Sequence, residues 1–287
     1  MAQNGQLHAI QRSVWQARLP LEIRLAASEC RSFDRADPYL IAFPRLSYLP
    51  LLLPRLHAFF YGSLIADPET VSPYAGYFTY DNVPLKWHLP LGLLYDIYVL
   101  STQDAGHDHA ASESLPFKLT LHFTPDETRL SMLDATPVVL HDSFINSVKE
   151  ADFLRSGTAK PIMTLSAQES KALWTSTQEG DLTTFSKIHS SLVPAPGQSH
   201  ISPTIVGAGQ ASPAALRGGS SSTGQPQTLG TALHQLIPSL FPSRRTPILA
   251  TPLLHGAPTP MTANLDELLR WGCYADGWLS IVLAMRG

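Results

Sequence analysis

The period of the apolar pattern changes along this chain, from alternation to helical spacing and back, and one sheet or one bundle cannot satisfy both periods. From Val138 to about Leu192 the spacing is helical. Phe144, Val148, Ala151 and Phe153–Leu154 form one stripe, Leu165, Ala172, Leu173 and Trp174 a second, and Asp181, Phe185, Ile188 and Leu192 a third. Pro161 and Gly180 separate these helices, and Asp181, directly after Gly180, is placed to cap the third with its side chain. A bundle-like middle module follows.

On the N-terminal side, "SVWQARLPLEIRLA" alternates at Val14, Leu19, Leu21, Ile23 and Leu25, which predicts a hairpin with its turn near Pro20. "PYLIAFPRLSYLPLLLPRLHAFF" predicts a short strand and then a helix, with Pro50 in its first turn and Pro54 imposing a kink or a late start. "DNVPLKWHLPLGLLYDIYV" gives a turn at Asp81–Asn82, an extended "VPLKWHLP" and a helix from about Pro90. "PFKLTLHFT" alternates as a strand, so this region is a small α+β domain. Residues 194–227, rich in Pro, Gly, Ser and Ala, predict a flexible linker or disordered loop. Beyond it, "TLGTALHQLIPSLFP" is a helix stopped by Pro238, "PILATPLLHGAPTP" a strand and turn, and "NLDELLRWG" a helix capped by Asn264. "GWLSIVLAM" is a continuous apolar strand, buried on both sides. The expected units are 10–130, 131–193, the linker 194–227 and 228–287.

Composition excludes several function classes. Charged residues make up 15% against a usual share of about 25%, while apolar residues reach 44%, so the chain folds but relies on partners to cover apolar surface. A net charge of -3 argues against broad nucleic-acid binding. Cys30 and Cys273 are too few for a disulfide framework or a cysteine zinc site, which points to a reducing, cytosolic setting. The N-terminal stretch lacks the long apolar core of a signal peptide. The longest apolar run is broken by Pro50, Pro54 and Arg55 and falls short of the roughly 20 residues that span a bilayer, so membrane contact is expected to be peripheral.

Few constellations carry chemistry. His107, Asp108 and His109 supply metal-type donors, but adjacent residues rarely converge on one ion and no third ligand is placed, so a solvated loop is expected and no metal. Cys273 with His255 could form a nucleophile pair, yet no oxyanion-hole signature accompanies them. No nucleophile elbow, phosphate loop or dinucleotide fingerprint is present, so neither catalytic residues nor a cofactor are expected. Trp87 and His88 in "LKWHLP" read either as a half-buried strand or as part of a partner-recognition groove. Gly287 could be the transferable end of a ubiquitin-like donor, but the apolar "SIVLAM" leaves only two residues beyond it for a flexible tail. Arg155 and Lys160 read as a solvated cationic face. Lys149 is open to two readings: a solvated helix lysine paired with Asp152 at i+3, or an acceptor amine that attacks a thioester.

The stretches "SVWQARLPLEIRL", "PYLIAFPRLSYLPLLL", "DNVPLKWHLPLGLLYD", "HDSFINSVKEADFLR", "KALWTS", "TLGTALHQLIPSLFPSRR", "LLHGAPTP" and "YADGWLSIVL" together resemble the autophagy protein 5 family, especially its fungal members. They stand in family order and cover most of the chain outside the linker. The resemblance implies an α+β fold of two ubiquitin-like β-grasp domains flanking a helix-rich domain. It also implies that Lys149, in "KEAD", accepts the C-terminal glycine of the ubiquitin-like modifier autophagy protein 12, delivered by E1-like and E2-like enzymes. The conjugate then binds the N-terminal helix of autophagy protein 16 at the pre-autophagosomal membrane. There it acts like an E3 in joining autophagy protein 8 to phosphatidylethanolamine. The alternative is a non-conjugated module that binds a partner helix. One stretch departs from the family: where the second ubiquitin-like domain usually opens with a strong hairpin, "ISPTIVGAGQASPAALRGGSSSTG" is weak strand material, so that hairpin is either degenerate or missing.

Overall fold

A computed structural model describes residues 2–31, 36–102, 114–124, 135–192, 204–207, 210–212 and 227–286. His107, Asp108, His109 and Gly287 lie outside the described residues.

The first domain is a five-stranded mixed sheet with helices on one face. Strand β1 (Arg18–Leu25) pairs antiparallel with β2 (Tyr39–Pro44) and parallel with β5 (Phe117–His122). β5 pairs in turn with β3 (Tyr77–Tyr80), and β3 with β4 (Val83–Pro84). The alternation of Leu19, Leu21, Ile23 and Leu25 buries them against α2 (Leu53–Phe60) and α3 (Leu91–Tyr98). The hairpin expected at Pro20 is not there: the run from Arg18 to Leu25 is one strand, Val14 belongs to the helix before it, and β2 is the strand's return. Pro20 sits opposite Ala42 with no N–H to donate, and the Ala42 carbonyl accepts instead from Arg18 Nη2 and Nε at 2.9 and 3.1 Å. Pro50 falls in a 3-10 turn at Leu49–Leu52 and α2 starts only at Leu53, the late start that Pro54 imposes. Asp81 and Asn82 take left-handed φ of 47° and 63°, closing the β3–β4 turn as expected.

The middle module is α4 (Pro137–Ser156), α5 (Lys160–Met163), α6 (Ala167–Glu179) and α7 (Leu182–Leu192). Gly157 and Gly180 end α4 and α6 in the left-handed region, where only glycine is unstrained. Asp181 caps α7 by accepting from the amides of Thr183 and Thr184 at 2.9 and 3.2 Å.

The second sheet repeats the first in strand order. Strand β10 (Ser280–Met285) is parallel to β6 (Thr204–Gly207) and antiparallel to β8 (Ala250–Leu254); β7 (Gln210–Ser212) and β9 (Ala257–Pro258) form the edges. Helices α8 (Leu229–Leu236) and α9 (Leu265–Trp271) complete this domain. The stretch 194–227 is therefore not linker throughout: it supplies the β6–β7 hairpin, short and weak in intrinsic propensity but templated by the buried central strand β10.

Two features lay outside the expected units. Helix α1 (Ala2–Gln16) precedes β1 and reaches away from its own sheet, with His8 against Trp271 of α9 at 4.3 Å and Trp15 against Phe185 of α7 at 4.5 Å. The middle module and second β-grasp domain also share one core. Phe144, Val148, Leu173 and Trp174 belong to the same buried cluster as Leu229, Leu233, Tyr274 and Ile281.

Candidate functional site

Helix α4 is capped by the Thr136 hydroxyl, which accepts from Val139 N at 3.4 Å, and is closed by Gly157. Its inward face is Leu140, Phe144, Val148, Ala151 and Arg155, all buried. At about 100° per residue, Ser147, Ala151 and Arg155 form one stripe, and Lys149 projects about 200° round from the first two. That stripe meets the turn joining α9 to β10. Ser147 Oγ donates to Asp276 Oδ2 at 3.3 Å, and Arg155 Nη2 donates to the Gly277 carbonyl at 2.6 Å. Ala151, Arg155, Leu269, Gly277 and Trp278 line the cleft between helix and turn.

Lys149 is partly exposed on the far side, with Phe153 one turn on and 55% exposed. The expected pair with Asp152 does not form. Asp152 is buried and turned toward α5, accepting from Ile162 N at 3.3 Å and Ser156 Oγ at 3.4 Å. Burial pushes its carboxyl up from the ordinary value, against those hydrogen bonds and Arg155. Among the described residues no carboxylate forms an ion pair with Lys149. Arg155 is not solvated as expected: 5% exposed, it anchors the helix, while Lys160 is exposed.

Trp87 and His88 lie on the turn between β4 and α3, not in the extended stretch expected of them, because strand pairing stops at Pro84 and Leu89 N closes back on Lys86 O at 3.1 Å. Trp87 is partly buried at the margin of the core shared by the other two units. His88 stands edge-on to it at 5.6 Å, its pKa lowered by partial desolvation and then by Lys86. Cys273 and His255 do not form a nucleophile pair. Burial pushes the thiol up to about 11 and the imidazole down to about 4, while His255 Nε2 donates to the Gly272 carbonyl at 2.8 Å. Among the described residues no group of three or more His, Cys, Asp or Glu could hold a metal, and no helix is long and apolar enough to cross a membrane.

Two buried polar clusters escaped the sequence reading. Arg45, after β2, is paired with Asp96 of α3, and Gly256 in the β8–β9 turn packs so closely on the pair that a Cβ there would lie 2.9 Å from Arg45 Nη2 and 3.2 Å from Asp96 Oδ1, so the first domain meets the second at this pair. The one signal was a lone carboxylate inside the apolar "LGLLYDIY". The second cluster is Asp276, which accepts from Ser147 and from Trp278 N at 3.2 Å. Burial pushes Asp276 up to about 6 despite those hydrogen bonds. An unfolded aspartate titrates near 3.9, so the folded state holds this proton more tightly. Its contribution to stability is present below about pH 4 and is lost as pH rises through about 6. Asp276→Asn should therefore flatten the fall in urea-unfolding free energy between pH 4.5 and 7 by about 1–3 kcal/mol; an unchanged slope would refute the assignment.

The whole chain has named relatives. Residues 14–123 match the family model "Autophagy protein ATG5, UblA domain", 137–195 the "alpha-helical bundle region", and 209–283 the "UblB domain". The chain is 49% identical to autophagy protein 5 of Aspergillus terreus, with 100% of each covered. It is 48% identical to that of Neosartorya fischeri, covering 100% of this chain and 98% of the relative. Its fold is similar to the crystal structure of Kluyveromyces marxianus Atg5, with a TM-score of 0.73 at 17% identity over 96% of this chain and 99% of that one. Three family domains in order and relatives matched from end to end make this chain a member of the autophagy protein 5 family, a protein of autophagy built from two ubiquitin-like domains about a helical bundle.

Proposed function

We propose that the chain is the acceptor of a ubiquitin-like modifier, the counterpart of autophagy protein 12, through an isopeptide bond at Lys149. The observation that carries this reading is the lysine's setting. Its helix is pinned away from it, and Asp152, the partner expected three residues on, is buried and engaged elsewhere. An ordinary lysine amine is protonated at neutral pH, so the delivering E2-like enzyme must supply the base or the desolvation. The neutral amine attacks the thioester carbonyl, the N–C bond forms, the nitrogen gives up one proton to the base on the E2-like enzyme, the C–S bond breaks, and the E2-like thiolate leaves. This chain supplies a positioned nucleophile and no catalytic group, consistent with a scaffold.

The conjugate binds the N-terminal helix of autophagy protein 16 and acts like an E3 in lipidating autophagy protein 8 with phosphatidylethanolamine. It is cytoplasmic and recruited peripherally to the pre-autophagosomal membrane. Trp87 and His88, at the edge where the first domain meets the shared core, are proposed for partner-helix binding. Reconstitution with the modifier and its E1-like and E2-like enzymes tests the reading. The expected product is one adduct heavier by the modifier less one water, with the branched peptide at Lys149. A branch mapped to a different lysine would sink the proposal.

A further inference from the structure

We infer that the turn Tyr274–Gly277 of the second ubiquitin-like domain is the positioning device for the acceptor lysine, acting through Ser147 and Arg155 on the opposite side of α4; this rests on Lys149 being the acceptor. The turn grips the helix at two points that bracket Lys149, one two residues before it and one six residues after it. The stripe Ser147–Ala151–Arg155 allows only close approach. Gly277 has φ of 84°, and a Cβ there would lie 3.1 Å from Arg155 Nη2 and 3.3 Å from the Ala151 Cβ. A helix held only by apolar contacts on one face retains freedom to roll and slide. Two directional hydrogen bonds just over two turns apart remove both motions. The Lys149 Cα is thereby fixed while its amine is left unpaired by any described carboxylate.

Acyl transfer depends steeply on the approach of amine to carbonyl, so misplacement of about 1 Å costs rate more than affinity. Ser147 and Arg155 spend their hydrogen bonds on the turn and would act on the amine only through the helix; they are positioning residues.

The test is single-turnover conjugation with the full chain over a range of E2-like thioester concentrations, with thermal unfolding followed in parallel. Ser147→Ala should lower the maximal rate about threefold and Arg155→Met about tenfold, each with the half-saturating concentration within twofold of the parent. Arg155→Lys, which can still donate to the Gly277 carbonyl, should recover part of the rate. If Arg155→Met fails to fold, Ser147→Ala decides, since it removes one hydrogen bond. A parental maximal rate in folded Ser147→Ala overturns the inference, as does a raised half-saturating concentration at unchanged maximal rate, which would make the turn a docking surface. Lys149→Arg run alongside separates the two claims. If it conjugates normally, the acceptor reading falls; if it does not while Ser147→Ala behaves as parent, only the positioning role falls.

Discussion

Lys149→Arg should cut conjugate formation by at least about 100-fold while leaving the unfolding transition in place. Arginine keeps the charge and most of the length, so helix packing is preserved, but its guanidinium is not deprotonated in proteins and offers no amine nucleophile. The informative comparison is with the other lysines. The chain has six, at 86, 118, 149, 160, 171 and 187, and all but Lys149 are exposed. If exposure alone chose the acceptor, the modifier would move to one of those five. If the choice is made by position on the pinned helix, it will not. Gel densitometry with mass mapping reads the outcome directly, and a variant retaining only Lys149 should conjugate at close to the parental rate. Undiminished conjugate in Lys149→Arg would remove the acceptor assignment.

Asp96→Ala should lower the urea-unfolding free energy at pH 7.5 by about 3–5 kcal/mol. Asp96 is 0% exposed and Arg45 7%, and the guanidinium also donates to the Gly92 carbonyl at 3.2 Å. Burial pushes Asp96 up to about 6, outweighing the charge of Arg45, so the carboxylate is still ionised at the pH of the measurement. Removing it strands a buried guanidinium against Gly256, so the cost falls on the joint between the two ubiquitin-like domains. The double variant Arg45→Met, Asp96→Leu should recover most of the loss, because it removes both charges and their desolvation together. A single variant within 1 kcal/mol of the parent would show that water already screens the pair.

Much of the architecture was legible because it is written in local periodicity. The strand at Phe117–His122, the buried strand at Ser280–Met285 and the helix ended by Gly180 each announce themselves within one element, whereas the helix expected to run toward Pro161 stops earlier, at Gly157. What failed was decided by tertiary contact. Pro20 suggested a turn because its missing N–H is normally disallowed in a strand, and only the Arg18 side chain makes the position workable. The hairpin at 204–212 is shaped by β10, which lies some 75 residues further on. For the candidate site, the helix carrying Lys149 was visible, but its anchors were not. Arg155 meets Gly277 across 122 residues and Ser147 meets Asp276 across 129. A basic residue on a helix reads as solvated unless the distant carbonyl that accepts its hydrogen bond is already known.

The core shared by the bundle and the second sheet also has a consequence for synthesis. During translation the bundle helices leave the ribosome long before β10, which follows every other described element and is the centre of its sheet. Until β10 emerges, β6 and β8 have no strand between them, and Phe144, Leu173 and Trp174 face a half-built interior. The helical unit is therefore committed early but completed late, and nascent chains stalled before β10 should be the form that chaperones hold and proteases cut.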